Sequence, residues 1–87
     1  MLAKRSGVEI VREILRLEGK RKTHIMYATA LTYPQAMKYL NNLTERGLIA
    51  KDMDARGGEI YHSTPAGKQL SHHLDAVMGF LGLGEAV

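Results

Sequence analysis

The chain has 87 residues, 45% of them hydrophobic and 24% charged, which is the profile of one small globular domain and excludes a disordered or multi-domain chain. It contains no cysteine, so a disulfide framework, a thiolate metal site and a cysteine nucleophile are excluded, and it has no apolar run near the roughly 20 residues of a membrane span. The net charge of +3 is unevenly spread: residues 1–51 carry ten Lys/Arg against four Asp/Glu, and residues 52–87 carry two against five.

A basic half of this kind can displace counterions from phosphates, although an ordinary solvated surface has the same charge signature. The start, Met1 to Ser6, is basic but runs into an amphipathic segment and not an apolar one, so no signal peptide is expected and the location expected is cytoplasmic.

The first predicted helix covers residues 8–18. Ile10, Val11, Ile14, Leu15 and Leu17 fall on one face, and Glu9, Arg12, Glu13 and Arg16 on the other. Ser6 stands where an N-cap belongs, and Gly19 where a left-handed closing residue belongs. The basic turn Lys20, Arg21, Lys22 follows. A short second helix is expected over 23–30, with Ile25 and Met26, and then Ala28, Thr29 and Leu31, on its buried side.

Thr32-Tyr33-Pro34-Gln35 has the capping-box form, with a hydroxyl at N-cap, a glutamine at N3 and proline in the first turn. The spacing predicts a helix over 33–46 that stops at Gly47. Ala36, Met37, Leu40 and Leu43 form its apolar face; Gln35, Lys38, Tyr39, Asn42 and Glu45 or Arg46 form the opposite one. Two helices joined by about three residues have the spacing of a helix-turn-helix, whose second helix enters the major groove with its N-terminal half against base edges. The exposed residue types suit a groove-reading helix. Gln and Asn can bond adenine bidentately, Lys can reach guanine or phosphate, and Tyr can contact phosphate or a thymine methyl.

After Gly47 the period changes to that of strands, expected over 48–53 and 59–64 and joined by the glycine-containing loop Asp54-Ala55-Arg56-Gly57-Gly58. A hairpin directly after a helix-turn-helix is a wing. Its tip has one base, Arg56, among Asp52, Asp54 and Glu59, enough for one phosphate contact. Thr64-Pro65 opens a last helix over 65–81. Leu70, Leu74, Val77 and Leu81 recur at spacings of four, three and four, and Met78 and Phe80 add apolar surface beyond that seam. The seam packs against another helix or covers the body of its own domain; the excess apolar surface makes helix 65–81 the expected homodimerisation element. Gly79, Gly82 and Gly84 place its end between 79 and 83, with a loose tail to Val87.

The run Thr23-His24-Ile25-Met26-Tyr27, then Leu31-Thr32-Tyr33, Tyr39-Leu40, Leu43, Gly47-Leu48-Ile49, Tyr61 and Thr64-Pro65-Ala66-Gly67 resembles the small archaeal winged-helix DNA-binding proteins of about ten kilodaltons, grouped with chromatin proteins and transcriptional regulators. The likeness covers most of residues 8–70. It implies a winged helix, a homodimer held by the C-terminal helix, and DNA binding by the helix that begins near Thr32. That last helix is shorter here, and interrupted by glycines, where the family often carries a long antiparallel coiled coil.

Taken together, the expectation is one α+β domain over 1–87, mainly helical with a small hairpin. Its partners are double-stranded DNA and a second copy of itself. The DNA-contacting residues expected are Lys22, Thr32, Tyr33, Gln35, Lys38, Tyr39, Asn42, Arg46 and Arg56; the dimer residues expected are Leu70, Leu74, Val77, Met78 and Leu81. No enzyme, cofactor or metal is expected. His24, His62, His72 and His73 occur without a metal-protease, nucleophile-elbow or phosphate-loop motif. His72 and His73 are neighbours that diverge by about 100° on a helix, and only His72 with Asp75, across a dimer, offers a weak metal pair. A sequence-specific regulator, an architectural DNA coater and a protein-contact module all remain open at this level.

Overall fold

In the computed structural model, which describes residues 6–82, the chain runs α1 (Gly7–Arg16), α2 (Lys22–Thr29), α3 (Tyr33–Glu45), β1 (Ile49–Met53), β2 (Glu59–Ser63) and α4 (Pro65–Leu81). All six expected elements are present. The expected loose tail and Gly84 lie outside the described residues, as do Lys4 and Arg5.

Helix α1 opens on a full capping box: Ser6 Oγ accepts from Glu9 N–H, and the Glu9 carboxylate accepts from Ser6 N–H at 2.9 Å. It ends two residues before the expected boundary. Leu17 is already extended (φ −88°, ψ 109°), and Gly19, though left-handed at φ +65°, lies outside the helix. The reason is tertiary. Gly19 N–H donates to Tyr61 O and Tyr61 N–H donates to Lys20 O, each at 2.9 Å, so the chain leaves the helix early to form a one-bridge third strand beside β2.

Helix α2 begins one residue earlier than expected and stops at Thr29, because Ala30 is left-handed at φ +57°. Ile25 and Thr29 are fully buried, and Thr29 Oγ1 donates to Ile25 O at 2.7 Å, which satisfies the hydroxyl inside the core. Ala28, expected on the buried side, is exposed. Helix α3 has the capping box read from its sequence, Thr32 with Gln35, and ends where Gly47 takes φ +71°. There Gly47 N–H bonds Thr44 O and Leu48 N–H bonds Leu43 O, closing the last carbonyls of the helix.

The hairpin pairs β1 with β2 antiparallel, from Ile49 opposite Ser63 to Met53 opposite Glu59. Only Ile49, Tyr61 and Ser63 of it reach the interior; Ser63 Oγ donates to Leu15 O at 2.6 Å. β2 ends at Ser63, one residue before the expected boundary, and Thr64 is the expected N-cap of α4. Its hydroxyl accepts from Gly67 N–H and donates to Gly47 O at 2.6 Å. A Cβ on Gly67 would overlap the Leu48 carbonyl, so glycine lets α4 seat directly on the chain entering β1.

The core is one cluster: Ile10, Ile14 and Leu15 of α1, Ile25 of α2, Leu40 and Leu43 of α3, and Ile49 and Tyr61 of the hairpin. Leu31, Leu48, Leu70 and Leu74 pack around it. Arg12, expected on a solvated face of α1, turns toward α4 and donates from Nε to Asp75 at 2.6 Å, with Arg16 Nη2 at 3.7 Å from the same oxygen. Part of the basic half is thus spent inside the fold.

Candidate nucleic-acid interface

A buried stripe fixes the orientation of α3. Ala36, Leu40 and Leu43 are buried, so at about 100° per residue the opposite side presents Pro34, Lys38, Asn41, Asn42 and Glu45, all exposed. Asn41 is an addition to the expected contacts: it lies one turn from Lys38 on the outward row. Its three-residue spacing from Lys38 is the signal in the sequence that points to it.

Several expected contacts have intramolecular partners. Thr32 Oγ1 and Gln35 Oε1 are engaged in the cap, which leaves the Gln35 amide NH₂ as its outward donor. Asn42 Oδ1 accepts from Arg46 Nε at 3.2 Å, so these two form one unit with the Asn42 NH₂ still available. Lys22 Nζ lies 5.9 Å from the centroid of the Tyr33 ring, a cation–π arrangement that ties the start of α2 to the start of α3.

Tyr39 differs from its expected place. It is half-buried, packs against the core and sits with Val11 in a groove of about 390 Å³ between α1 and α3, beside Gln35, Lys38 and Asn42. Tyr39 precedes Leu43 by four residues and follows Ala36 by three, so it borders the buried stripe on the α1 side. The polarity of its hydroxyl suggests the outer face; packing places its ring against α1.

At the wing, Asp54 organises the loop. Its Oδ1 accepts from Arg56 N–H and Gly58 N–H, each at 2.9 Å, and its Oδ2 accepts from Arg21 Nη2 at 2.6 Å. The hydrogen bond from Arg21, then that from Gly58, hold the Asp54 carboxyl below its ordinary value of 3.8. Asp52 lies 3.8 Å from His62 Nε2, on the other side of which Glu18 approaches Nδ1 at 3.2 Å. Arg56 is exposed at the tip and, among the described residues, has no ion-pair partner.

On α4 the expected seam divides. Leu70 and Leu74 are half-buried and pack on their own core. Met78, only 5% exposed, is covered within its own chain and so is not open to a second copy, a correction to its expected place at the dimer interface. Residues 70, 74 and 78 follow a four-residue ridge that drifts into the body. Val77 and Leu81 lie off that ridge and are exposed, and with Phe80, 90% exposed, they form an apolar end to the helix. His72 and His73 are exposed, and no group of His, Asp and Glu suited to a metal ion occurs among the described residues. Nor, among these residues, is any helix long and apolar enough to cross a membrane.

A three-helix body with a capped second helix of a helix-turn-helix, followed by a hairpin and a closing helix, defines a winged helix, and the family comparison agrees. The chain belongs to the winged helix-turn-helix family, whose model matches residues 4–80. Among solved structures it is similar to Sso10a-2, a DNA-binding protein from Sulfolobus solfataricus, at 28% identity over 90% of this chain and 83% of that one, with a TM-score of 0.79. It shares its fold with a MepR mutant from S. aureus bound to an oligodeoxyribonucleotide (19% identity, 86% of this chain, 57% of that one, TM-score 0.73). The same holds for the PcaV transcriptional regulator from Streptomyces coelicolor (20% identity, 97% and 64%, TM-score 0.72). The chain spans about six-tenths of the length of these two regulators. A search of curated protein sequences returned no match.

Proposed function

We propose that the chain is a DNA-binding transcriptional regulator that acts as a homodimer, with α3 in the major groove and the wing on the adjacent backbone. The observation that carries this reading is the outward row of α3. Lys38, Asn41 and Asn42 project from a helix whose other side is locked into the core, beside the exposed Tyr33 and the Gln35 amide. Donors in that arrangement match base edges and phosphates of a major groove. Similarity to a DNA-binding protein of comparable length supports the same reading. The apolar end of α4, formed by Val77, Phe80 and Leu81, supports a second copy as its partner, since a dimer would remove that surface from water. The role is binding, not catalysis.

Gel shifts over a salt series, on genomic fragments and on random duplex, test it. A regulator binds a few fragments tightly, with random duplex orders of magnitude weaker. Equal affinity on every duplex with a steep salt slope would replace regulation with architectural coating. Absence of binding at low salt would remove DNA as the partner.

A further inference from the structure

We infer that Arg21 is a positioning residue for the wing: through Asp54 it fixes the loop that carries Arg56 and cancels the acid beside it, so that Arg56 alone faces a phosphate. The inference rests on the DNA-binding reading above.

Arg21 is the N-cap residue of α2, where its side chain makes no capping bond. The side chain instead crosses to the wing, 33 positions along the chain, and donates to Asp54 Oδ2 at 2.6 Å. The guanidinium lies over Gly58, where a Cβ would come within 2.7 Å of it; a glycine there keeps the seat open. The other Asp54 oxygen holds the amides of Arg56 and Gly58, and Asp54 N–H bonds Gly58 O at 2.9 Å. One carboxylate therefore joins the start of the helix-turn-helix to both sides of the tip residue.

The chemistry has two consequences. An unpaired Asp54 beside Arg56 would repel the phosphate that Arg56 is to meet; paired with Arg21 it does not. The fork of a guanidinium also sets an angle that a lysine ammonium would not, so the place of the Arg56 loop relative to the start of α2 is defined by a strut and not by the hairpin alone. In the sequence Arg21 reads only as part of an exposed basic turn, and Asp54 as one of three acids around Arg56. The geometry assigns both to holding the loop.

The test compares wild type, Arg21→Ala, Arg56→Ala, the double variant and Asp54→Asn by the slope of log K against log salt. Loss of one phosphate contact lowers that slope by about 0.9 per protomer. The expected result is that Arg21→Ala and Arg56→Ala each lower it by that amount and the double variant by no more than either. Additive losses would mean that Arg21 itself touches phosphate, and no loss in either single variant would mean that the wing does not; both overturn the proposal. Asp54→Asn keeps an oxygen for the two amides but releases Arg21, and weaker binding is expected although an acid has been removed; stronger binding overturns the proposal. In DNA-free protein, ¹H–¹⁵N heteronuclear NOEs at the Arg56 and Gly58 amides should fall in Arg21→Ala, and unchanged values refute the coupling. Wild-type protein that binds no duplex at low salt would refute the DNA reading instead, and leave those NOEs to decide whether the strut holds the loop.

Discussion

Helices α3 and α4 are both amphipathic and both opened by a threonine cap with proline behind it, yet they leave opposite chemistry outside. On α3 the leucines are taken by the core and what remains outside is mainly polar: Gln35, Lys38, Asn41, Asn42 and Glu45, with Tyr33 and Pro34 at the start. On α4 the first two leucines are taken by the core, and what remains at the far end is Val77, Phe80 and Leu81. A helix whose remainder is polar suits a partner read by hydrogen bonds; a helix whose remainder is apolar suits a partner that excludes water. The same local signals thus serve two interfaces, and the difference lies in which side the body covers.

The strongest way to break this comparison is to damage the buried side of α3. Leu40→Ala, at a fully buried position, should destabilise the domain by about 3 kcal/mol in a denaturant titration; a loss under about 1 kcal/mol would mean that α3 is not anchored as described. On the outer side of the same helix, Lys38→Ala with Asn42→Ala should lower DNA affinity by about ten- to hundredfold while the melting temperature stays put. Unchanged affinity would remove this row from the interface.

On α4, Val77→Asp with Leu81→Asp should convert a dimer into a monomer in sedimentation, with monomer stability altered by less than about 0.5 kcal/mol. A charge at Leu74 would not test the interface cleanly, because Leu74 packs on its own core and the substitution would destabilise the monomer as well. A dimer that persists in the double variant moves the interface elsewhere.

The smallest effect concerns the tie between α1 and α4. The hydrogen bond from Arg12, opposed by partial burial and aided by the charges of Arg12 and Arg16, holds the Asp75 carboxyl below its ordinary value of 3.8. A depressed carboxyl pKa stabilises the fold at pH above the unfolded value and loses that contribution as the pH falls through the folded one. Wild type should therefore lose under about 1 kcal/mol below pH 3.8 that Asp75→Asn does not lose, since the aspartate side chain is 42% exposed and screened by solvent. Parallel acid curves for the two proteins would mean that the pair contributes nothing.

Legibility in the sequence follows locality. The Thr32–Gln35 cap, the stop at Gly47, the five-residue wing loop and the Thr64-Pro65 start lie within a few residues of the atoms they bond, so pattern alone reveals them. The same holds for Lys38 and Asn42, which are outward because Ala36, Leu40 and Leu43 are inward. Tyr39 escapes such a reading because a tyrosine at the border of a stripe can join either side, and only the position of α1 decides. Arg12 and Arg21 read as surface cations because their carboxylates, Asp75 and Asp54, lie 63 and 33 positions away.

The sequence by itself determined the order of helices and strands, the capped helix-turn-helix and the polar row on α3, because caps, turns and periodicity are set by neighbours along the chain. Only the tertiary structure decided that α1 ends early to lend Gly19 and Lys20 to the sheet, that Met78 turns inward while Val77 and Leu81 stay out, and that the wing is braced by Arg21. Those outcomes depend on which groups from distant segments meet, and close packing and charge pairing choose among faces that the chain leaves equivalent.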